Sequence, residues 1–289
     1  MACRAEVTRF APSPTGPLHL GHAFAALTAH HVARASGGQF LLRIEDIDRA
    51  RCRPVWDQAI RDDLDWLGIP PDAPPLRQSD RLHIYGETLD RLWQLGLLYP
   101  CTCNRRDILA ALDAPQEGVS LGPDGPVYPG TCRHRPRPAQ RPVKRPVDQA
   151  LRLDMRAALT GLGPLAFTET AHPDHFGQNI ITPAQLVDAT GDIVLARRDM
   201  GTSYHLAVVI DDAAQGITTV TRGADLFDAT RIHVLLQALL HLPTPAYHHH
   251  RLIRDDAGRR LAKRDDARAL STYRAAGATP DDIRAWLGL

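Results

Sequence analysis

The chain carries almost no net charge. Its 34 lysines and arginines face 33 aspartates and glutamates, leaving +1 over 289 residues. That excludes a bulk field drawing the molecule to a polyanion, although a local basic patch can still form. Long apolar runs are missing too. None approaches the roughly 20 residues of a membrane-spanning helix. The N-terminal MACRAEVTRF lacks the apolar core of a secretory signal. The five cysteines are odd in number and three of them cluster, which argues against the disulfide framework of a secreted domain. No internal repeat is visible. These absences point to a cytoplasmic chain. At 44% hydrophobic, it is long enough for one or two domains around a sizeable core.

What is present begins with periodicity. Val7–Phe10 predicts a short buried strand. From Leu20 the pattern GHAFAALTAHHVARASGG predicts a helix, with Gly37-Gly38 as its C-terminal stop. Gln39–Ile44 predicts a second strand. Strand, turn, helix and strand in that order favour a parallel sheet with crossover helices. The second strand runs into Glu45-Asp46-Ile47-Asp48, and in open parallel sheets ligands sit at the carboxyl ends of strands. Amphipathic helices are expected over 54–67, ended by Gly68, and over 79–95, capped by Ser79 and ended by Gly96. Residues 100–146 then turn rich in Pro, Gly, Cys and Arg, and HRPRPAQRPVKRPV cannot hold a helix. A solvated connector is the first reading of that stretch, and contact with a polynucleotide backbone the second. Further strands are expected at 193–197, 204–212 and 218–222, followed by a helix through Leu240. The last forty-odd residues read as a basic loop and two short helices.

The densest chemistry lies in Arg9-Phe10-Ala11-Pro12-Ser13-Pro14-Thr15-Gly16-Pro17-Leu18-His19-Leu20-Gly21-His22. A strand end, a turn and a helix start bring backbone N–H groups, imidazoles and a positive helix end against one anion. A nucleotide's phosphates need such a place. His19 and His22 are three apart and share one side of the first helical turn. Alone they would be incidental; Ser13-Pro14-Thr15-Gly16 before them favours function. Cys101-Thr102-Cys103 and the Cys132 of Tyr128-Pro129-Gly130-Thr131-Cys132 supply three thiols. Structural zinc usually takes four ligands. Cys3 and Cys52 belong to other elements, so His134 is the generic fourth ligand; three free buried thiols are the plainer alternative. Arg259-Arg260-Leu261-Ala262-Lys263-Arg264 is, taken alone, an ordinary basic loop. His248-His249-His250 reads as the approach to a strand at Arg251-Leu252-Ile253 rather than as a metal site.

The first run resembles the HIGH signature of class I aminoacyl-tRNA synthetases, most closely the glutamyl branch. The loop at 259–264 resembles their mobile KMSKS loop, with Ala262 in place of the usual serine. GGQFLLRIEDIDRAR, SYHLAVVIDD and TRGADL fall between them in family order, so the resemblance covers nearly the whole chain. It implies an α/β fold: a Rossmann-type parallel-sheet catalytic domain with a zinc-bearing insertion and a small C-terminal helical part. The implied bounds are 1–99 and 187–240 for the two catalytic halves, 100–186 for the insertion with its metal site and basic connector, and 241–289 for the loop and last helices. His19, His22 and Lys263 are implied as catalytic, and His19, Gly21, His22, Arg260 and Lys263 as ATP-binding. Arg9, Ala11, Ser13, Glu45, Tyr204 and Arg222 are implied as the glutamate site. Glu45 and Ser13 would hold the amino group, with Arg9, Tyr204 and Arg222 around the side-chain carboxylate. The resemblance points to Cys101, Cys103, Tyr128 and Cys132 as zinc ligands, the Tyr128 phenolate taking the place open to His134, and to Mg²⁺ arriving with ATP.

The chain stops soon after the KMSKS-like loop, where a full glutamyl enzyme continues into an anticodon-binding region. In this it is similar to the truncated paralogue family, the glutamyl-Q tRNA(Asp) synthetases; the spacing of CTC from YPGTC is similar as well. That family activates glutamate with ATP and transfers it to queuosine in the anticodon of tRNA(Asp). The implied partners are therefore ATP, L-glutamate and queuosine-bearing tRNA(Asp), with no membrane, and a monomer is expected. A minimal synthetase charging tRNA(Glu) is the runner-up. A nucleotide-binding regulator without catalysis is the other alternative, and His19, His22, Glu45 and Lys263 speak against it.

Overall fold

The computed structural model describes residues 5–112, 121–135, 143–254 and 268–289. β1 (Val7–Phe10) and β2 (Gln39–Ile44) are parallel neighbours joined through α1 (Leu20–Ala35). After α1 the chain turns at Gly37, where φ is 68°, a conformation that costs glycine little. Along β2, Phe40, Leu42 and Ile44 pack into one core with α1, while Leu41 joins a second core on the other face. Burial on both faces is what a parallel strand covered by helices requires. α2 (Pro54–Trp66) leads to the short β3 (Leu76–Arg77), parallel to β2. A 3₁₀ turn over Gln78–Arg81 then enters α3 (Leu82–Gln94). Ser79, expected as a helix cap, lies inside that turn. Its N–H and Oγ–H instead donate to Asp46, each at 2.8 Å.

β4 (Leu98–Cys101) opens the next region, followed by α4 (Arg105–Leu112) and the hairpin of β5 (Leu121–Gly122) and β6 (Gly125–Pro126). After these come β7 (Ala150–Leu153), α5 (Met155–Ala158), β8 (Leu165–Glu169), β9 (Gly177–Ile181), α6 (Pro183–Ala189) and β10 (Val194–Ala196). β4, β7 and β10 form an antiparallel sheet in the order β10-β7-β4. The chain then runs through α7 (Tyr204–Ala214), β11 (Thr219–Gly223), α8 (Thr230–Leu240), β12 (Ala246–His250), α9 (Leu270–Ala275) and α10 (Pro280–Leu287). β8 and β9, within 100–186, extend the β11-β12 sheet, β8 pairing in parallel with β12.

Two further expectations are corrected here. Residues 204–212 form a helix, not a strand. Residues 205–212 are all buried, so their apolar run carries no period that separates helix from strand. The telling residue is Ser203, whose hydroxyl caps the helix by accepting from the Leu206 N–H. The histidine run is itself the end of β12 rather than the approach to a later strand.

β1 lies beside β11. The Thr218 N–H donates to Val7 O at 2.9 Å, and the Val7 N–H to Thr218 Oγ1 at 2.8 Å. From β1 the chain crosses to β2 on one side, and from β11 to β12 on the other. Their carboxyl ends therefore flank a topological switch point, the crevice where open α/β sheets bind ligands. Leu270, Ile283 and Leu287 bury the last two helices against the α1 core. Among the described residues no helix is long and apolar enough to cross a membrane.

Candidate active site

His19 is the N-cap of α1. Its Nδ1 accepts from the Gly21 N–H at 3.1 Å, and His22 Nδ1 accepts from the His19 N–H at 3.2 Å. This is a capping box built from two imidazoles instead of Ser/Thr and Glu. The ring centroids stand 3.8 Å apart. With Nδ1 accepting in both, Nε2 carries the proton in each neutral ring. The flank of the KMSKS-like segment reaches the same place. The Leu270 N–H donates to Leu18 O at 2.9 Å, and His19 and Ala269 form an isolated antiparallel bridge. Some 250 residues of chain are thus closed back onto the first motif. Arg260 and Lys263 themselves, with Ala262, lie outside the described residues.

At the carboxyl ends of β1, β2 and β11 sits a buried cluster of three arginines. Arg9 grips Asp212 through Nε at 2.8 Å and gives Nη1 to Thr221 O at 3.0 Å. Arg43 shares Asp212 at 2.5 Å and holds Glu45 at 3.1 Å. Burial raises the Glu45 carboxyl, against the pull of Arg43 and Arg9, while Asp212 is held low by the same two guanidiniums despite its burial. Arg222 differs from its neighbours. Its Nε donates to His249 Nε2 at 3.0 Å, its Nη1 to His233 Nδ1 at 2.9 Å and its Nη2 to Thr230 Oγ1 at 2.7 Å. Among the described residues no carboxylate pairs with it directly. The nearest one in its network, Glu169, stands one imidazole away, accepting from His249 Nδ1. Tyr204 faces this cluster. Burial and the nearby Glu45 charge raise its hydroxyl, opposed by Arg222, Arg9 and Arg43.

A cavity of about 790 Å³ opens above the cluster, lined by Ser13, Thr15, Glu45, Asp48, Tyr204 and His205 among others. The acids after β2 therefore divide. Glu45 and Asp48 face the cavity, whereas Asp46 is tied to Arg77 and Ser79. Ala11 is half-buried between β1 and the turn. Arg9 and Arg222 are buried and do not themselves line the cavity.

The cysteines converge as well. One sulfur each from Cys101, Cys103 and Cys132 lies within 4.8 Å of the others. The Tyr128 hydroxyl stands 3.5 Å from Cys101 Sγ and 3.4 Å from Cys103 Sγ, and accepts from the Cys132 N–H at 2.8 Å. Sulfurs about 2.3 Å from a tetrahedral zinc ion lie just under 4 Å apart, so this donor set fits that metal. Arg152 stacks over the Tyr128 ring and reaches Cys101 Sγ at 3.3 Å, a cation beside the atoms that would have to ionise. Hydrogen bonds lower the Cys132 thiol to about 6 despite its burial. His134 is exposed and does not join the group.

Residues 6–289 match the catalytic domain of the class I (E and Q) tRNA synthetases. The chain belongs to that family. Across 98% of its length and 100% of the relative's, it is 65% identical to the glutamyl-Q tRNA(Asp) synthetase of Rhodobacter capsulatus. It is 44% identical to that of Symbiobacterium thermophilum, over 95% of this chain and 83% of the relative. A glutamate tRNA ligase from Elizabethkingia meningosepticum, solved with its amino acid, superposes with a TM-score of 0.68 at 28% identity. The likeness covers 91% of this chain and 52% of that ligase, so the chain spans about half of it. The methionyl-tRNA synthetase of Mycobacterium tuberculosis shares the fold alone, with a TM-score of 0.62 at 11% identity over 97% of this chain and 63% of that one.

Within this class I synthetase the residues that sequence reasoning missed are those that fix the arginines: Arg43, Asp212, Thr230, His233, His249 and Glu169. One signal was available. Asp211 and Asp212 end the apolar run LAVVI, and acids there must be paired if the run is buried. Asp211 accepts from Gln78, Arg81 and Tyr85, and Asp212 from Arg9 and Arg43.

Proposed function

We propose that the chain activates L-glutamate with ATP and transfers it to queuosine in the anticodon of tRNA(Asp). The observation that carries this reading is the 65% identity to a glutamyl-Q tRNA(Asp) synthetase over that protein's whole length. The geometry supports it. Arg222 is a buried cation held by neutral imidazoles and a hydroxyl, suited to a side-chain carboxylate that Tyr204 also reaches. Arg9 is bound to Asp212, so its part in the glutamate site is to hold the shape and charge of the floor. Glu45 and Ser13, with Ala11 beside them, take the ammonium at the cavity wall.

In the first step the α-carboxylate oxygen attacks the α-phosphorus of ATP. A glutamyl–phosphate anhydride forms, the α–β phosphoanhydride bond breaks, and pyrophosphate leaves. No protein nucleophile is needed; positioning and electrostatics carry the step. His19 and His22 donate from Nε2 to phosphate oxygens, and Gly21 lets the helix backbone come close. Arg260 and Lys263 neutralise the departing pyrophosphate, and Mg²⁺ bound to ATP shares that charge. In the second step a queuosine hydroxyl attacks the activated carbonyl, giving an ester and AMP. Residues 1–99 and 187–240 serve as the catalytic halves and 241–289 as the loop and closing helices. Residues 100–186 serve as an insertion that also lends β8 and β9 to the main sheet. Cys101, Cys103, Tyr128 and Cys132 hold a structural zinc in it.

The test is twofold. Glutamate-dependent ATP–pyrophosphate exchange should proceed with Mg²⁺ and no tRNA. Labelled glutamate should then pass to tRNA(Asp) carrying queuosine and not to the same tRNA lacking it. Efficient charging of tRNA(Glu) at its 3′ end would overturn the reading in favour of a minimal glutamyl-tRNA synthetase.

A further inference from the structure

Arg222 is the start of a longer chain of hydrogen bonds. His233 Nε2, on α8, stands 3.0 Å from His205 Nδ1 on α7. His205 Nε2 in turn stands 3.0 and 3.1 Å from the two carboxylate oxygens of Asp124. The two ends dictate every proton between them. Arg222 only donates, so His233 Nδ1 accepts and its Nε2 bears the proton. That proton points at His205 Nδ1, so His205 bears its own proton on Nε2. Asp124 only accepts, which closes the series. The order Arg222, His233, His205, Asp124 therefore has one direction with both rings neutral. His233 is kept neutral by its burial and by the charge of Arg222 beside it, with Arg9 adding a smaller effect of the same sign.

Asp124 does not belong to the arginine cluster. It sits in the two-residue turn of the β5–β6 hairpin, where Gly122 pairs with Gly125. That hairpin is seated tightly. A Cβ on Gly122 would come within 2.8 Å of Ala189 O, which leaves room for glycine alone. The Asp124 side chain is 57% exposed, and the residue lines both the 790 Å³ cavity and a second one of about 360 Å³ beside Cys103 and Tyr128. Tyr204 packs against the same two imidazoles, with ring centroids 5.4 Å from His205 and 5.8 Å from His233.

We infer that Asp124 and His205 are positioning residues for glutamate: an acid of the cysteine-bearing insertion fixes, through two neutral imidazoles, the guanidinium that receives the substrate's side-chain carboxylate. Neither residue touches that carboxylate. Without the Asp124 acceptor, His205 is free to turn or change tautomer, and His233 then has no fixed acceptor for its Nε2 proton. Arg222 loses the orientation of one of its three donors. The hairpin thereby couples the insertion to amino-acid selection.

The inference rests on the proposed role of Arg222, and the experiment separates the two. Glutamate and ATP KM values are measured by ATP–pyrophosphate exchange in Arg222→Leu, Asp124→Ala, His205→Leu, His205→Gln and the Asp124→Ala/His205→Leu pair. Asp124→Ala and His205→Leu should each raise the glutamate KM about tenfold, the loss of roughly one charge-assisted hydrogen bond. The ATP KM should not move. The pair should be no worse than either single change, because both break one series. His205→Gln keeps an acceptor and a donor on one side chain and should recover most of the affinity. Asp124 is exposed, so Asp124→Ala stays informative even where a change at the buried His205 impairs folding. A normal glutamate KM in Asp124→Ala would overturn the relay, as would multiplicative effects in the pair or an equal rise in the ATP KM. An unchanged glutamate KM in Arg222→Leu would instead overturn the role of Arg222 itself.

Discussion

Glu169 shows how much of the site depends on a residue with no contact to the cavity. It is fully buried at the end of β8. It accepts from the N–H groups of Ala171 and His172 at 2.9 Å, from the His249 N–H at 3.0 Å, and from His249 Nδ1. Burial alone would raise its carboxyl, but these donors outweigh it and hold the group near about 2, below the ordinary 4.5. The folded state thus prefers the carboxylate. That stability is present in full above about pH 4.5 and is lost as pH falls through 4.5 toward 2. Its scale is about 3 kcal/mol, of which about 2 kcal/mol is gone at pH 3. Denaturant unfolding at pH 7 and pH 3 should show a smaller difference for Glu169→Gln than for the natural chain. Equal differences would mean the donors do not hold the charge. Nothing in the string FTETAH marks Glu169 as special. Two of its donors are local, but His249 comes from β12, some 80 residues on, and the parallel pairing of Tyr247 with Glu169 brings it there. His19 and His22 were legible because their partners are each other.

At the scale of elements, legibility follows the same rule. α1 and β2 were readable because each carries a local stop or pattern: Gly37 after α1, and the apolar Phe40, Leu41, Leu42 and Ile44 in β2. α7 was not, because every residue from His205 to Asp212 is buried, which leaves no exposed polar stripe to read. The cysteine cluster was readable in composition, but not in its fourth member. Spacing alone allowed His134, whereas the fold turns the Tyr128 hydroxyl into the sulfurs and leaves His134 outside. One zinc ion per chain is therefore expected by elemental analysis of protein purified without chelator, with Zn–S distances of about 2.3 Å by X-ray absorption. Cys103→Ser should lower zinc affinity and the stability of the β4–β7–β10 region. The α1 core, which shares no residue with the cluster, should keep its hydrogen-exchange protection. Zinc-free protein that is fully stable and active would remove the metal from the structure.

For the whole molecule the near-zero net charge sets the terms. With +1 over the chain, any attraction to tRNA must come from local groups. The basic stretches at 133–145 and 259–264 lie largely outside the described residues, and Arg133 is tied to Asp192 at 2.6 Å. Arg51, Arg197 and Arg198 line the 790 Å³ cavity that the proposed reaction would use for the acceptor nucleoside, Arg51 pairing with Asp48 at 2.5 Å and Arg197 with Asp199 at 3.6 Å. A single-stranded anticodon loop can splay a base into such an opening, and RNA recognition favours bases already unstacked. Its phosphates would then lie along those arginines. Three contacts would give a slope of about −2 in the logarithm of affinity against the logarithm of salt concentration. Activation of glutamate needs no such contact. Raising salt should therefore weaken transfer to queuosine-bearing tRNA(Asp) steeply while pyrophosphate exchange without tRNA changes little. Arg197→Ala and Arg198→Ala should each make the transfer slope shallower. If both reactions fall together, salt is acting on the common active site, and the cavity arginines do not carry the RNA.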